Sequence, residues 1–197
     1  MAASLNRLDG RQSLNRGVFP HSPSYLKVYR IPDFTRLISF RIVSSQAKFL
    51  PMALMHAERT HGDYGMTITD VKGNKMSIDI PEDQGGTGKG LRPMQTVLAA
   101  LCGCSSADVV GILKKQRQDL KTLIIDIDGE REQGKEPSLW TTIEVSFEMT
   151  GDLDPAKALR AADLSINKYC SVAETLRRAG ATITFRVTVN GEAVNLS

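Results

Sequence analysis

The sequence predicts an α+β domain. Three observations carry that prediction. Several segments alternate apolar and polar residues with period two, the mark of half-buried strands. Other segments open on a helix-capping residue or an early proline, and one of them closes on glycine. The two kinds of segment follow the order ββ-α-ββ-αα-β, which is not the strict alternation of a parallel fold. The chain has 197 residues, enough for one domain with a core of its own. A composition of 41% hydrophobic and 24% charged residues is ordinary for a globular protein.

Residues 1–54 stand apart from this pattern. They contain Ser, Arg, Asn and Pro with little periodicity, and from Phe34 to Ala57 no acidic residue occurs. An Arg-rich, Ser-rich, acid-poor segment reads as an organelle transit peptide. It also reads as a disordered tail, or as a non-native extension ahead of a start at Met52 or Met55. All three readings place residues 1–54 outside the fold and assign the domain to residues 55–197. The expected location is cytoplasmic, or the mitochondrial matrix if the segment is a transit peptide.

Within the domain, "GMTITDVKGNKMSIDIP" (65–81) reads as a hairpin: Met76, Ile78 and Ile80 alternate with polar residues, and "KGN" supplies a turn. "QGGTGKGLR" (84–92) reads as a flexible loop. A helix opens with Pro93 in its first turn and runs to about Gln118, roughly 26 residues, which is long for such a domain. "TLIIDIDGERE" turns Leu123, Ile125 and Ile127 to one face. "LWTTIEVSFEM" does the same with Leu139, Ile143, Val145, Phe147 and Met149. One wet face means an antiparallel sheet. "DPAKALRAADLSINKY" is a helix with Asp154 as N-cap and Pro155 behind it. "SVAETLRRAG" is another, with Ser171 and Glu174 as a capping box and Gly180 at its end. "TITFRVTVN" is a last strand, with Ile183, Phe185, Val187 and Val189 inward.

Charge and motifs exclude several function classes. The net charge is +3, with a pI near 8.8. Residues 1–55 hold eight Lys/Arg against two Asp, whereas residues 56–197 hold 17 Lys/Arg against 20 Asp/Glu. The domain itself is therefore mildly acidic, and no nucleic-acid partner is expected. No stretch of about 18 apolar residues is read in the sequence, so nothing is expected to span a membrane and no membrane partner is expected. "GGTGKG" lacks the Ser or Thr after Lys89 that a phosphate loop needs. His56 and His61 stand at odd spacing, on opposite faces of a strand, and make no zinc site. No G-x-S-x-G occurs. "KKQRQ" (114–118) suits a helix C-terminus.

The three cysteines form no disulfide framework. Cys102 and Cys104 lie about 200° apart around a helix and face opposite ways. Met94, Val97, Leu101, Cys104 and Asp108 share one helical stripe, which puts Asp108 one turn from Cys104. Cys170 immediately precedes the proposed cap Ser171, near the positive end of a helix, where thiolate is favoured. From spacing alone, unrelated buried cysteines remain the simpler reading.

"LRPMQTVLAALCGCSSADVVGILKKQRQ" and "LSINKYCSVAETL" resemble the two cysteine motifs of the OsmC/organic hydroperoxide resistance family, and most of all its small OsmC-like branch. The resemblance covers about residues 55–192. It implies an OsmC-like fold, a curved antiparallel sheet around long central helices, in an intertwined homodimer with sites at the subunit interface. It implies thiol-dependent reduction of organic hydroperoxides by a two-cysteine peroxidase-type redox protein. Cys104 matches the peroxidatic position and Cys170 the resolving one; Cys102 matches neither. No bound cofactor or metal is implied; an external dithiol, such as a lipoyl protein, serves as reductant. The hydroperoxide-resistance members carry a Glu directly after the Pro that opens the central helix, paired with an activating Arg. Here that position is Met94, and Arg59 and Arg92 are the candidates for the Arg. Asp108 is a candidate supporting residue, as a hydrogen-bond partner for a neutral thiol or for a hydroxyl of the partner subunit. The second reading, from another class, is a non-peroxidase OsmC-like protein that binds a small apolar or thiol-bearing ligand.

Overall fold

A computed structural model of the chain describes residues 54–195. The segment assigned to a transit peptide or extension lies, but for Leu54, outside the described residues. Two sheets and three helices follow in chain order. Strands β1 (Met55–His61), β2 (Gly65–Asp70) and β3 (Lys75–Ile78) form an antiparallel sheet. The expected hairpin is β2–β3, and β1 adds a strand on its outer side. A register shift between Arg59 and His61 breaks the simple alternation expected of the two histidines.

The loop after β3, read from its glycines as flexible, carries a specific set of hydrogen bonds. Asp79 is buried and gathers it: Oδ2 accepts from the Thr87 hydroxyl (2.5 Å) and the Thr87 N–H (2.9 Å), and Oδ1 from the Ile80 N–H (2.8 Å). Leu91 closes the loop on β3 through the Asp79 N–H (3.0 Å) and the Ser77 carbonyl (3.1 Å). Gly86 is needed for this packing, because a Cβ there would meet the Ile80 carbonyl oxygen at 2.0 Å.

Helix α1 (Pro93–Lys115) is shorter than its pattern by about one turn. Arg117 adopts a left-handed conformation (φ 57°), and the Gln118 N–H closes on the Leu113 carbonyl at 3.0 Å, a Schellman-type ending. Leu101, Ser105, Val109 and Leu113 form its buried stripe at i, i+4 spacing. By length and composition this helix is apolar enough to cross a membrane, which corrects the sequence expectation. Its apolar stretch 97–113 is interrupted only by Gly, Ser and one Asp. Yet just 22% of its most apolar 18-residue stretch is buried within the protomer.

Strands β4 (Asp119–Arg131), β5 (Trp140–Asp152), β6 (Thr182–Val189) and β7 (Glu192–Val194) form the second sheet. The β4–β5 and β6–β7 pairs are antiparallel, but β5–β6 is parallel. Two helices intervene between β5 and β6, which is the crossover a parallel pair requires. Alternation reports which face is wet and not strand direction, so the parallel pair was invisible to it. Ile143, Val145, Phe147, Met149, Val187 and Val189 form the buried face, as expected. Leu139 does not join them. The register shifts at Arg131/Trp140, so Trp140 turns in and Leu139 stays 40% exposed.

Helix α2 (Pro155–Leu164) starts as expected, with Asp154 Oδ1 accepting from the N–H groups of Ala156 (2.9 Å) and Lys157 (3.3 Å). The regular helix stops at Leu164. Ser165–Tyr169 continue as a π-helical segment, in which the Cys170 N–H reaches the Ser165 carbonyl at 2.9 Å. Helix α3 (Ser171–Arg178) follows. Its cap is Cys170 and not Ser171, so the capping box expected of Ser171 and Glu174 is absent.

Candidate functional site

Two helices bring the site together. On α1, one turn separates Cys104 from Asp108, and both are half-buried. Cys170 arrives at the junction of the π segment and α3, and is 3% exposed. One extra residue in the π turn shifts the register of everything after it, and such turns recur at functional sites. Here it delivers Cys170 to the face of α1. The two sulfurs and an Asp108 carboxylate oxygen all lie within 4.8 Å of one another. The thiols are free.

The surroundings of each group are polar and specific. The Ala173 N–H donates to Cys170 Sγ at 3.4 Å, so the thiol is itself the N-cap of α3. The Ser105 hydroxyl, buried on α1, points to the same sulfur at 3.9 Å and donates to the Leu101 carbonyl at 2.8 Å. The Ser165 hydroxyl, buried in the π segment, reaches Asp108 Oδ2 at 3.3 Å and the Ser105 carbonyl at 3.4 Å. Asp108 thus meets a hydroxyl of its own chain, where the sequence had offered one from a partner subunit.

Electrostatics correct one expectation. A helix N-terminus favours thiolate, but Cys170 goes the other way. Burial pushes its thiol up, and the adjacent Cys104 adds to this; the Ala173 N–H and the Ser105 hydroxyl pull it down by less. Removing the group from water outweighs a single N–H because desolvation acts on the whole charge. Cys102 faces elsewhere, as the helical geometry requires. Burial raises its thiol too, and the Asp126 carboxylate on β4 works in the same direction.

The candidate arginines are not drawn into this cluster within the protomer. Arg92 caps α1 with its own N–H bonded to Gln95 Oε1 at 3.0 Å, and twelve residues of helix separate it from Cys104, about 18 Å of rise. Arg59 lies on the exposed strand β1. Among the described residues no salt bridge involves Asp108, and no hydrogen bond joins either guanidinium to a site sulfur. Met94 packs against the core at the start of α1.

Sequence reasoning missed Ser105 and Ser165. The first could have been found: it falls on the Leu101–Val109–Leu113 stripe, where a polar residue stands out. The second had no such signal, because its position depends on the π turn.

Residues 86–186 match the family model described as OsmC-like protein. Protein YhfA of Escherichia coli K12 is 48% identical over 88 residues, which cover 44% of this chain and 65% of that protein, just under two thirds of its length. A hypothetical protein from Aquifex aeolicus VF5 superposes with a TM-score of 0.59 at 27% identity, over 71% of this chain and 98% of that one. The organic hydroperoxide resistance protein OsmC from Legionella pneumophila superposes with a TM-score of 0.56 at 18% identity, over 72% of this chain and 100% of that one. The last likeness speaks for the fold.

Proposed function

The chain belongs to the OsmC-like protein family, and on that premise we propose that it reduces organic hydroperoxides with a pair of thiols. The observation that carries this reading is the proximity of Cys104 and Cys170, within 4.8 Å, with unequal exposure. Cys104 is half-buried and Cys170 is almost wholly buried beside it. A disulfide needs its sulfurs at about 2.05 Å, which side-chain rotation and a small shift of α3 against α1 can supply.

The steps balance as follows. Cys104 attacks the terminal oxygen of the hydroperoxide, the O–O bond breaks, and an alcohol leaves with the proton that the thiol gave up. Cys104 is then a sulfenic acid. The Cys170 sulfur attacks it, a disulfide forms, and the Cys170 proton leaves with the hydroxyl as water. An external dithiol, of the lipoyl or a similar class, reduces the disulfide by exchange and is itself oxidised. The raised Cys170 thiol stays protonated near neutral pH, as suits a group that waits for the sulfenic acid. Asp108 lies within 4.8 Å of both sulfurs and accepts from the Ser165 hydroxyl.

We further propose that the protein is a homodimer. The support is the apolar helix α1, which leaves the small residues Ala99, Ala100, Gly103 and Ala107 exposed and most of its other apolar residues only half-buried within one protomer.

Purified full-length protein is expected to consume cumene hydroperoxide in the presence of dihydrolipoamide or dithiothreitol. Cys104→Ser should lower that turnover at least a hundredfold, while Cys170→Ser should leave one stoichiometric oxidation without turnover. Peptide mapping should find a Cys104–Cys170 disulfide after peroxide treatment. Absence of turnover with every dithiol, with no such disulfide, would sink the reading. The second reading then gains: a site that binds a small thiol-bearing or apolar ligand. It is favoured by the lack of any described ion pair on Asp108. It predicts ligand protection of Cys104 from alkylation without catalysis.

A further inference from the structure

We propose that reduced Cys104, Asp108 and Cys170 form a three-ligand site for a thiophilic divalent cation of the zinc class. The inference rests on the same pair of thiols as the redox reading, but it does not require peroxidase activity.

Geometry comes first. The two sulfurs and a carboxylate oxygen lie within 4.8 Å of one another. In a tetrahedral zinc site with ordinary Zn–S and Zn–O bonds, ligand atoms stand roughly 3.5–3.8 Å apart. Each pair here is therefore at most about 1.3 Å too wide, within side-chain motion. Two of the ligands are one helical turn apart on α1, and the third comes from the start of α3. Three protein ligands leave one position for water or an exogenous group. Two thiolates and a carboxylate suit a borderline-soft cation better than calcium or magnesium, which prefer oxygen.

Charge gives an independent argument. A carboxylate and two thiols, once ionised, would crowd three negative charges within 4.8 Å of one another. Among the described residues no salt bridge neutralises Asp108. A divalent cation turns the conflict into a ligand set. It displaces two protons, one from each thiol, and balances two of the three negative charges that result.

The outer shell is already in place. The Ala173 N–H donates to Cys170 Sγ at 3.4 Å, and the Ser105 hydroxyl lies 3.9 Å from it. The buried Ser165 hydroxyl holds Asp108 Oδ2 at 3.3 Å, which orients the carboxylate and leaves it further lone pairs for coordination. Partners of this kind orient metal ligands and tune affinity. The consequence for redox chemistry follows directly. A bound cation occupies the electron pairs that both sulfurs need to form a disulfide, and the disulfide removes two of the three ligands. Metal and peroxide thus exclude each other at this site.

The test uses reduced full-length protein. Titration with Co²⁺ should give a thiolate-to-cobalt charge-transfer band at one cobalt per chain, and Zn²⁺ should displace it. Competition with a chromophoric chelator reads the Zn²⁺ affinity. Asp108→Asn, which keeps the shape and the Ser165 contact, should weaken it by about 100-fold, and Ser165→Ala by about tenfold. Cys102→Ser should bind as the parent does. Bound Zn²⁺ should also protect Cys104 and Cys170, but not Cys102, from iodoacetamide. No charge-transfer band in the reduced protein overturns the proposal, as does unchanged affinity in Asp108→Asn. Metal binding without a peroxide-driven disulfide would leave this inference standing and remove the redox reading; the disulfide without metal binding would do the reverse.

Discussion

At the scale of single residues, the chain uses carboxylates for two different ends, and only surroundings tell them apart. Asp108 stands beside thiols, whereas Asp79 stands beside donors. The Thr87 hydroxyl contributes most to Asp79, and against the cost of burial the N–H groups of Ile80, Thr87 and Lys89 add to it; together they hold the carboxyl down at about 2 instead of 3.8. A carboxyl lowered on folding stabilises the folded state above its unfolded value. That contribution is complete above about pH 4 and is lost as pH falls through about 2. Asp79→Asn removes an acceptor oxygen and its charge, so the 80–91 loop should open more often at neutral pH. Amide exchange at Thr87 and Lys89 should quicken roughly tenfold, the effect of losing about one charge-assisted hydrogen bond. The same exchange in the parent protein should rise between pH 4 and 2 beyond its intrinsic trend. Equal protection in the variant would show that the glycine loop is ordered by something other than Asp79. In sequence, Asp79 read only as the polar member of an alternating strand. What sets it apart is the loop folding back onto it, and that is a tertiary event.

At the scale of elements, what was legible followed local periodicity, and what was not depended on register. The helix starts at Asp154 and Pro93 follow from residue identity, and the inward faces of β4, β5 and β6 and the opposed directions of Cys102 and Cys104 follow from 2- and 3.6-residue periods. The parallel β5–β6 pair, the bulge that swaps Leu139 for Trp140, and the π turn at Ser165–Tyr169 are register events that no local period records. Two of the three site groups, Cys104 and Asp108, were placed together by helical spacing. The third came from family resemblance, and the π turn supplies the physical means. Helix α2 carries that turn, so its anchoring matters to the site. The Asp154 carboxylate satisfies two N–H groups at the start of α2, and its own N–H is held by Gln118 Oε1 at 2.7 Å. Asp154→Ala should cost about 1 kcal/mol of stability. The urea midpoint should fall with an unchanged denaturant slope. A changed slope, or no loss at all, would mean that α2 is fixed by its buried face of Ala158, Leu159, Ala161 and Ala162 alone.

At the scale of the whole molecule, the two sheets differ in how they are supported. The second sheet has helices against its buried face and a continuous core. The first has none of comparable extent: six of the seven residues of β1 are exposed, and Leu54, Met55, Tyr64 and Met76 show large apolar side chains to solvent. A three-stranded sheet needs a packed face to be stable. Helix α1 has the converse problem. Ala99, Ala100, Gly103 and Ala107 are exposed on it, and a Cβ added at Gly103 meets nothing within 4 Å. Small residues at that spacing allow another helix to approach closely. The proposed second protomer would solve both problems at once, by covering the first sheet and the open face of α1. The full chain should therefore run in light scattering at about twice its mass of 21.6 kDa. Gly103→Glu tests the face directly. Within the protomer the new side chain has room, and replacing a helical glycine favours the helix by up to about 1 kcal/mol. Loss of the dimer in this variant would therefore not be a failure to fold, and circular dichroism should stay unchanged while the mass halves. A parent protein that is monomeric at tens of micromolar would remove the dimer. A Gly103→Glu protein that remains dimeric would move the interface off this face of α1. If the dimer forms through it, the carboxylate introduced at Gly103 lies one residue from Cys104, and peroxide-driven formation of the Cys104–Cys170 disulfide in the variant then reports whether the thiol pair works within one protomer or needs the second.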